Sequence, residues 1–188
     1  MKHVDRYVCW CLITLLSLGL AGCAKRKGFA GRDSFAAAKE LFDQTTRLYH
    51  LPADRAQGAI KDRLLKQAAS GYQNLLRLYP DQSVWCAQAL RSLANVRAVQ
   101  GRLNEAVSIY GSVAERYPAL VWDVLQAWKS AADLLWEAGR RNDADLFYQR
   151  IISRFDRAKE EPQVVKTVVQ ASKRRLVSVA GTGVEGEL

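Results

Sequence analysis

The sequence predicts an all-α chain built from recurring pairs of short helices. Three observations carry this. First, Gly101-Arg102 recurs as Gly139-Arg140, Asn104-Glu105-Ala106 as Asn142-Asp143-Ala144, Tyr110 as Tyr148 and Tyr117 as Phe155, each 38 residues on. A fixed period of this size marks stacked supersecondary units. Second, the apolar residues between these landmarks keep helical spacing, and no long β-branched alternation interrupts them. Third, 49% of residues are apolar, 25% are charged and only 4 are proline, a composition suited to one folded domain with a core.

The first residues stand apart from that domain. Lys2 and Arg6 make a positive start, and residues 8–20 are apolar. This run is shorter than the roughly 20 residues that span a bilayer and has the length of a signal-peptide core. It ends in Leu20-Ala21-Gly22-Cys23, which resembles the lipobox of bacterial lipoproteins. The resemblance implies cleavage before Cys23, acylation of its thiol and a lipid anchor. An ordinary cleaved signal and an uncleaved anchor are the alternatives. The expected organisation is a signal peptide over 1–22, a lipidated cysteine with a glycine-containing tether over 23–32, a helical domain over 33–179 and a disordered tail over 180–188.

Of the 4 cysteines, Cys9 and Cys11 leave with the signal and Cys23 takes lipid. Cys86 remains, with no partner for a disulfide, and reads as a small apolar filler on a helix. Cleavage also removes Lys2, Arg6 and Asp5, so the net charge of +9 becomes +8. Lys25, Arg26 and Lys27 follow the lipid site, where each base near an anionic surface contributes about 1 kcal/mol. An exported, lipidated chain rarely meets nucleic acid, so its basic character is assigned to the membrane.

Along the domain, Asp33 or Ser34 caps a first helix that runs to about His50. Leu51-Pro52 stops it, since the residue before proline avoids the helical region. A second helical pattern over 53–79 weakens at Gly58, and Pro80 ends it. The next pair occupies about 83–100 and 104–117, with Gly101 at the corner because glycine takes positive φ without strain. Residues 121–138 and 142–155 repeat the pair. A last helix runs from Glu160, Glu161 and Pro162 to about residue 179, with Val165, Val168, Val169 and Leu176 on one face and Lys166, Lys173, Arg174 and Arg175 on the other. That is the pattern of a terminal cap.

Leu90, Ala94, Gly101, Ala106, Tyr110 and Pro118, then Trp128, Ala132, Gly139, Ala144 and Tyr148, resemble the tetratricopeptide repeat. The resemblance covers about 60–179 and implies an α-solenoid of antiparallel helix pairs with a C-terminal capping helix. The chain departs from the family in its 38-residue step, which places four extra residues around 119–122. It also departs in Arg63, which stands where the first corner glycine belongs, and in Asp156, which replaces the last proline.

Chemistry-bearing patterns are scarce. There is no HExxH, GxSxG or GxxxxGK[ST] motif and no Cys–His cluster of zinc spacing. His50 reads as a helix-end or surface residue. The chain is therefore expected to be a non-enzyme without a cofactor or metal. In the resembled family the first helices of successive units line a groove. In this sequence those positions are Gln88, Arg91 and Asn95, then Gln126, Lys129, Asp133 and Trp136. Tryptophan and arginine anchor many interfaces. Two readings of Trp136 stay open: it waits for a partner, or the last helix covers it. The expected function is a protein–protein adaptor at the periplasmic face of the outer membrane, its partner another envelope protein or peptide segment. Capture of a cell-wall glycan or small ligand, or service as an accessory subunit, are the alternatives.

Overall fold

The computed structural model describes residues 30–156 and 162–182. The leader, Cys23, most of the tether, Glu160, Glu161 and residues 183–188 lie outside them. The chain divides into a leading unit, Met1–Ser34, and a helical unit, Phe35–Leu188, and the described residues fall almost wholly in the second. Among them every regular element is helical: α1 (Ala30–Thr45), a π-helical turn (Thr46–His50), α2 (Leu51–Arg55), α3 (Gly58–Leu78), α4 (Ser83–Val99), α5 (Leu103–Arg116), α6 (Val121–Glu137), α7 (Arg141–Phe155) and α8 (Gln163–Thr182). From α3 to α8 each helix packs on the next, and α4 also touches α6.

The ends differ slightly from expectation. Residues 30–32 are helical and do not belong to the tether. Asp33 is no cap but lies in the first turn of α1, where a negative charge complements the helix dipole. At the other end α8 continues through residues 180–182.

The first pair departs most. Leu51 has helical angles, φ −60° and ψ −41°, and Pro52 opens α2 with no stop before it. The Leu51 N–H donates to Thr46 O, five residues back. This wider π turn shifts the hydrogen-bond register, and a residue without an N–H is tolerated where the register shifts. The chain breaks instead at Ala56 and Gln57, both extended, ahead of Gly58 at φ 53°. Arg63 therefore lies inside α3 and marks no corner. His50 ends the π-helical turn, as its helix-end reading has it, and is half-buried: its ring lies 2.8 Å from the Tyr72 hydroxyl, and burial lowers its pKa.

The next two pairs turn the same corner. Gly101 and Gly139 take φ 74° and 77°. The Arg102 N–H donates to Arg97 O and the Gly101 N–H to Ala98 O; Arg140 to Leu135 and Gly139 to Trp136 are the same bonds. This is the Schellman ending, which satisfies carbonyls that a helix terminus leaves orphaned. After the second helix of a pair, the Gln82 N–H donates to Tyr79 O and the Leu120 N–H to Tyr117 O, each at 3.0 Å. The step of 38 is not a loop insertion, because Val121 and Trp122 already belong to α6 and only residues 117–120 connect it to α5.

Packing follows from small residues at the crossings. Ala87, Ala94, Ala106, Ala127, Ala131, Ala132 and Ala144 are fully buried, which lets backbones approach closely. The core forms two clusters that share α4. Cys86, Ala89, Leu93 and Val96 face α3, whereas Ala87, Leu90 and Ala94 face the later helices. Cys86 is buried as expected, its thiol 3.2 Å from Tyr79 O. Trp85 lies in the first turn of α4, against Phe35 and Phe42. Trp128 is half-buried against the core, its ring edge-on to Phe155 at 6.3 Å.

Candidate functional site

The seven groove positions lie on α4 and α6, which pack directly on each other. The residues on the two helices have different surroundings. Arg91 is not an open anchor. Its guanidinium donates to Asp123 Oδ1 at 2.8 Å, and Asp123 is buried, so the pair clasps α4 to α6. Removing one partner of a buried pair strands the other charge, at a cost of about 3–5 kcal/mol. Asn95 is exposed, and its Oδ1 accepts the Tyr110 hydroxyl. Gln88 and Gln126 are half-buried.

On α6 the structure brings Lys129, Asp133 and Trp136 to one place. With Glu137, Tyr148, Val168, Ser172 and Arg175 they line a pocket of about 270 Å³ among α6, α7 and α8. Lys129 Nζ lies 2.5 Å from Asp133 Oδ2, with both side chains about 40% exposed, so this pair contributes at most about 1 kcal/mol. The other Asp133 oxygen accepts the Tyr148 hydroxyl at 3.2 Å. Burial, then the Asp133 carboxylate, pushes the Tyr148 phenol up to about 12. Trp136 is half-buried. The Tyr148 ring meets it edge-on at 6.2 Å, and the guanidinium carbons of Arg141 and Arg175 lie 3.7 and 4.5 Å from its ring centroid. The last helix thus covers Trp136 in part and leaves the pocket open beside it.

The arrangement follows a ladder of tyrosines. Tyr72, Tyr110 and Tyr148 are 38 residues apart and almost fully buried. Tyr110 bonds Asn95, and Tyr148 bonds Asp133, the equivalent position one pair later. Tyr72 instead reaches Thr46 and His50 across the displaced first pair. Twenty residues after each tyrosine, on the next helix, stand Ser92, Ser130 and Val168. The Ser92 and Ser130 hydroxyls favour ionisation of the Tyr72 and Tyr110 phenols against the effect of burial; Val168 offers Tyr148 no such group.

Residue spacing singled out Lys129, Asp133 and Trp136 correctly as neighbours, because offsets of three, four and seven share one helix face. It missed Asp123, whose equivalent one period earlier is Trp85, and it placed Arg175 with the outward charges. The +20 spacing that relates each tyrosine to serine or valine was readable and would have pointed to the third rung. Among the described residues no group of His, Cys, Asp and Glu is placed to hold a metal ion, and no helix is long and apolar enough to cross a membrane. Set against known proteins, the chain matches no family model and no curated relative.

Proposed function

We propose that this chain is a bacterial lipoprotein, anchored through Cys23, whose helix pairs stack in the tetratricopeptide manner and hold another envelope protein or peptide segment. The observation that carries the reading is the recurrence of the α4–α5 corner, glycine and Schellman bonds together, in α6–α7, with α4 and α6 in contact. Helices related in this way put Asn95 and the Lys129, Asp133 and Trp136 cluster along one row. Each pair leaves one apolar face uncovered when alone, so stacking is obligatory, and the polar row is what remains for a partner. The lipobox-like Leu20-Ala21-Gly22-Cys23, followed by Ala24, supports attachment at the periplasmic face of the outer membrane.

Cross-linking in intact cells, followed by mass spectrometry, tests the adaptor. One stoichiometric polypeptide captured by the wild type and lost with Trp136→Ala is the expected result. Cys23→Ser is expected to move the protein from the membrane fraction to the soluble fraction. Recovery of glycan alone overturns the adaptor in favour of ligand capture, the alternative that the pocket beside Trp136 supports.

A further inference from the structure

The two complete pairs superimpose in sequence register, so the positions where they differ are visible. Asn95 becomes Asp133, Ala98 becomes Trp136 and Val99 becomes Glu137; on the following helix Ser130 becomes Val168. All four replacements line the one pocket among α6, α7 and α8. The pairs differ at many other positions too, buried ones such as Leu93 and Ala131 included, but these four differences meet in one place and change its chemistry.

The replacements have a common chemistry. They add one indole face and two carboxylates, and they remove a hydroxyl. An indole with adjacent carboxylates attracts a cation, through the ring quadrupole and through charge. The protein displays the same preference within itself, since two of its own guanidinium groups lie against Trp136, Arg141 at 3.7 Å and Arg175 at 4.5 Å. Arg175 comes from α8, a helix with four basic residues and no acidic one. Lys129 is occupied by Asp133. With Arg175 lifted away, the lining keeps the Asp133 and Glu137 carboxylates and Lys129, which pairs with Asp133, while Arg141 stays on the indole. An anionic ligand would have to settle beside both carboxylates.

We infer that this pocket reads a cationic side chain, a guanidinium or an ammonium, on the bound segment, and that Arg175 is the internal occupant it displaces. The cation comes to rest against the Trp136 ring with Asp133 and Glu137 alongside, while Arg141 keeps its place on the indole. The inference depends on the adaptor reading only for the ligand's being part of a polypeptide.

The test uses the full chain in detergent micelles, with N-acetyl-arginine amide and N-acetyl-glutamate amide as probes, followed through the Trp136 indole N–H resonance. The arginine probe is expected to shift that resonance and the glutamate probe to leave it unmoved. Arg175→Ala is expected to tighten arginine binding about two- to fivefold, the size of one exposed cation–π contact. Glu137→Gln is expected to weaken binding, and Trp136→Ala to abolish it. Arg175 and Glu137 are exposed, so these variants keep the fold, which circular dichroism verifies. Weaker or unchanged arginine binding in Arg175→Ala overturns the inference, as does preference for the glutamate probe. Arginine binding without any cross-linked polypeptide sinks the adaptor but not the pocket; a captured polypeptide with a pocket indifferent to arginine does the reverse.

Discussion

The same substitution at two helical glycines is expected to act with opposite sign. Gly71 in α3 faces Thr45, and a Cβ built there lies 2.4 Å from Thr45 Oγ1 and 2.5 Å from Cγ2. Thr45 is 3% exposed, and a β-branched side chain in a helix has little rotamer freedom, so it cannot swing clear. Alanine recovers about 1 kcal/mol of helix propensity, while overpacking costs about 1–3 kcal/mol. Two contacts below any real Cβ distance put Gly71→Ala toward the costly end, a net loss of about 1–2 kcal/mol. A Cβ at Gly111 in α5 meets nothing within 4 Å, so Gly111→Ala keeps its gain of about 0.5–1 kcal/mol. Urea unfolding of both variants measures the difference. Thr45→Ala closes the cycle, because it removes the two nearest atoms and leaves only Cβ, at 3.0 Å. The double variant is then expected to be more stable than the two single changes add up to. Should Gly71→Ala stabilise as much as Gly111→Ala, the close approach of Thr45 to α3 is not what the glycine serves.

Two further outcomes follow from the corners and the ladder. Gly101→Ala and Gly139→Ala face open space but sit at φ 74° and 77°, so each is expected to lose about 1–2 kcal/mol through backbone strain alone, with asparagine at the same positions losing less in urea melts. In alkaline titration at 295 nm, Tyr148 is expected to ionise near 12, with Tyr72, Tyr110 and Tyr117 also above 10. These phenols titrate higher folded than unfolded, so the stability they contribute is complete below pH 10 and falls as pH rises toward 12. Ionisation of all tyrosines together at pH 10, in protein still folded by circular dichroism, contradicts this.

The later helix pairs were legible because their signals are local and redundant. A corner glycine, a small residue, a tyrosine and a helix stop recur at one offset, and any two of them set the register. The first pair was not legible, since a single local rule misled. Leu51 precedes a proline and would ordinarily leave the helical region. The hydrogen bond from Leu51 to Thr46 and the packing of Thr46 and His50 on Tyr72 outweigh that preference. The site divides in the same way. Lys129, Asp133 and Trp136 share one helix, so spacing alone groups them. The clasp of Arg91 to Asp123 joins residues 32 apart on two helices, and the repeat supplies no acid at the equivalent position to suggest it. Arg175 reaches Trp136 from a helix whose charges read as a solvated face.

The last described helix differs from α6 on the side that would meet a further helix. On α6 the side that receives α7 carries Trp128, packed on Phe155, together with the buried Ala132 and Leu135. One period later on α8 these positions are Lys166, Gln170 and Lys173. Lys166 and Gln170 are exposed, and Lys173 Nζ pairs with Asp156 at 2.7 Å. Covering them with a further helix would strip water from two ammonium groups and an amide without supplying new partners, a cost that no apolar neighbour offsets. So α8 packs on α7 through Val165, Val168 and Val169 and keeps Lys166 and Gln170 in water. The polar residues at 166, 170 and 173 are distinct from those that line the pocket, so a variant with apolar residues at these three positions is expected to self-associate, read by sedimentation, while the chemistry at Trp136 stays unchanged.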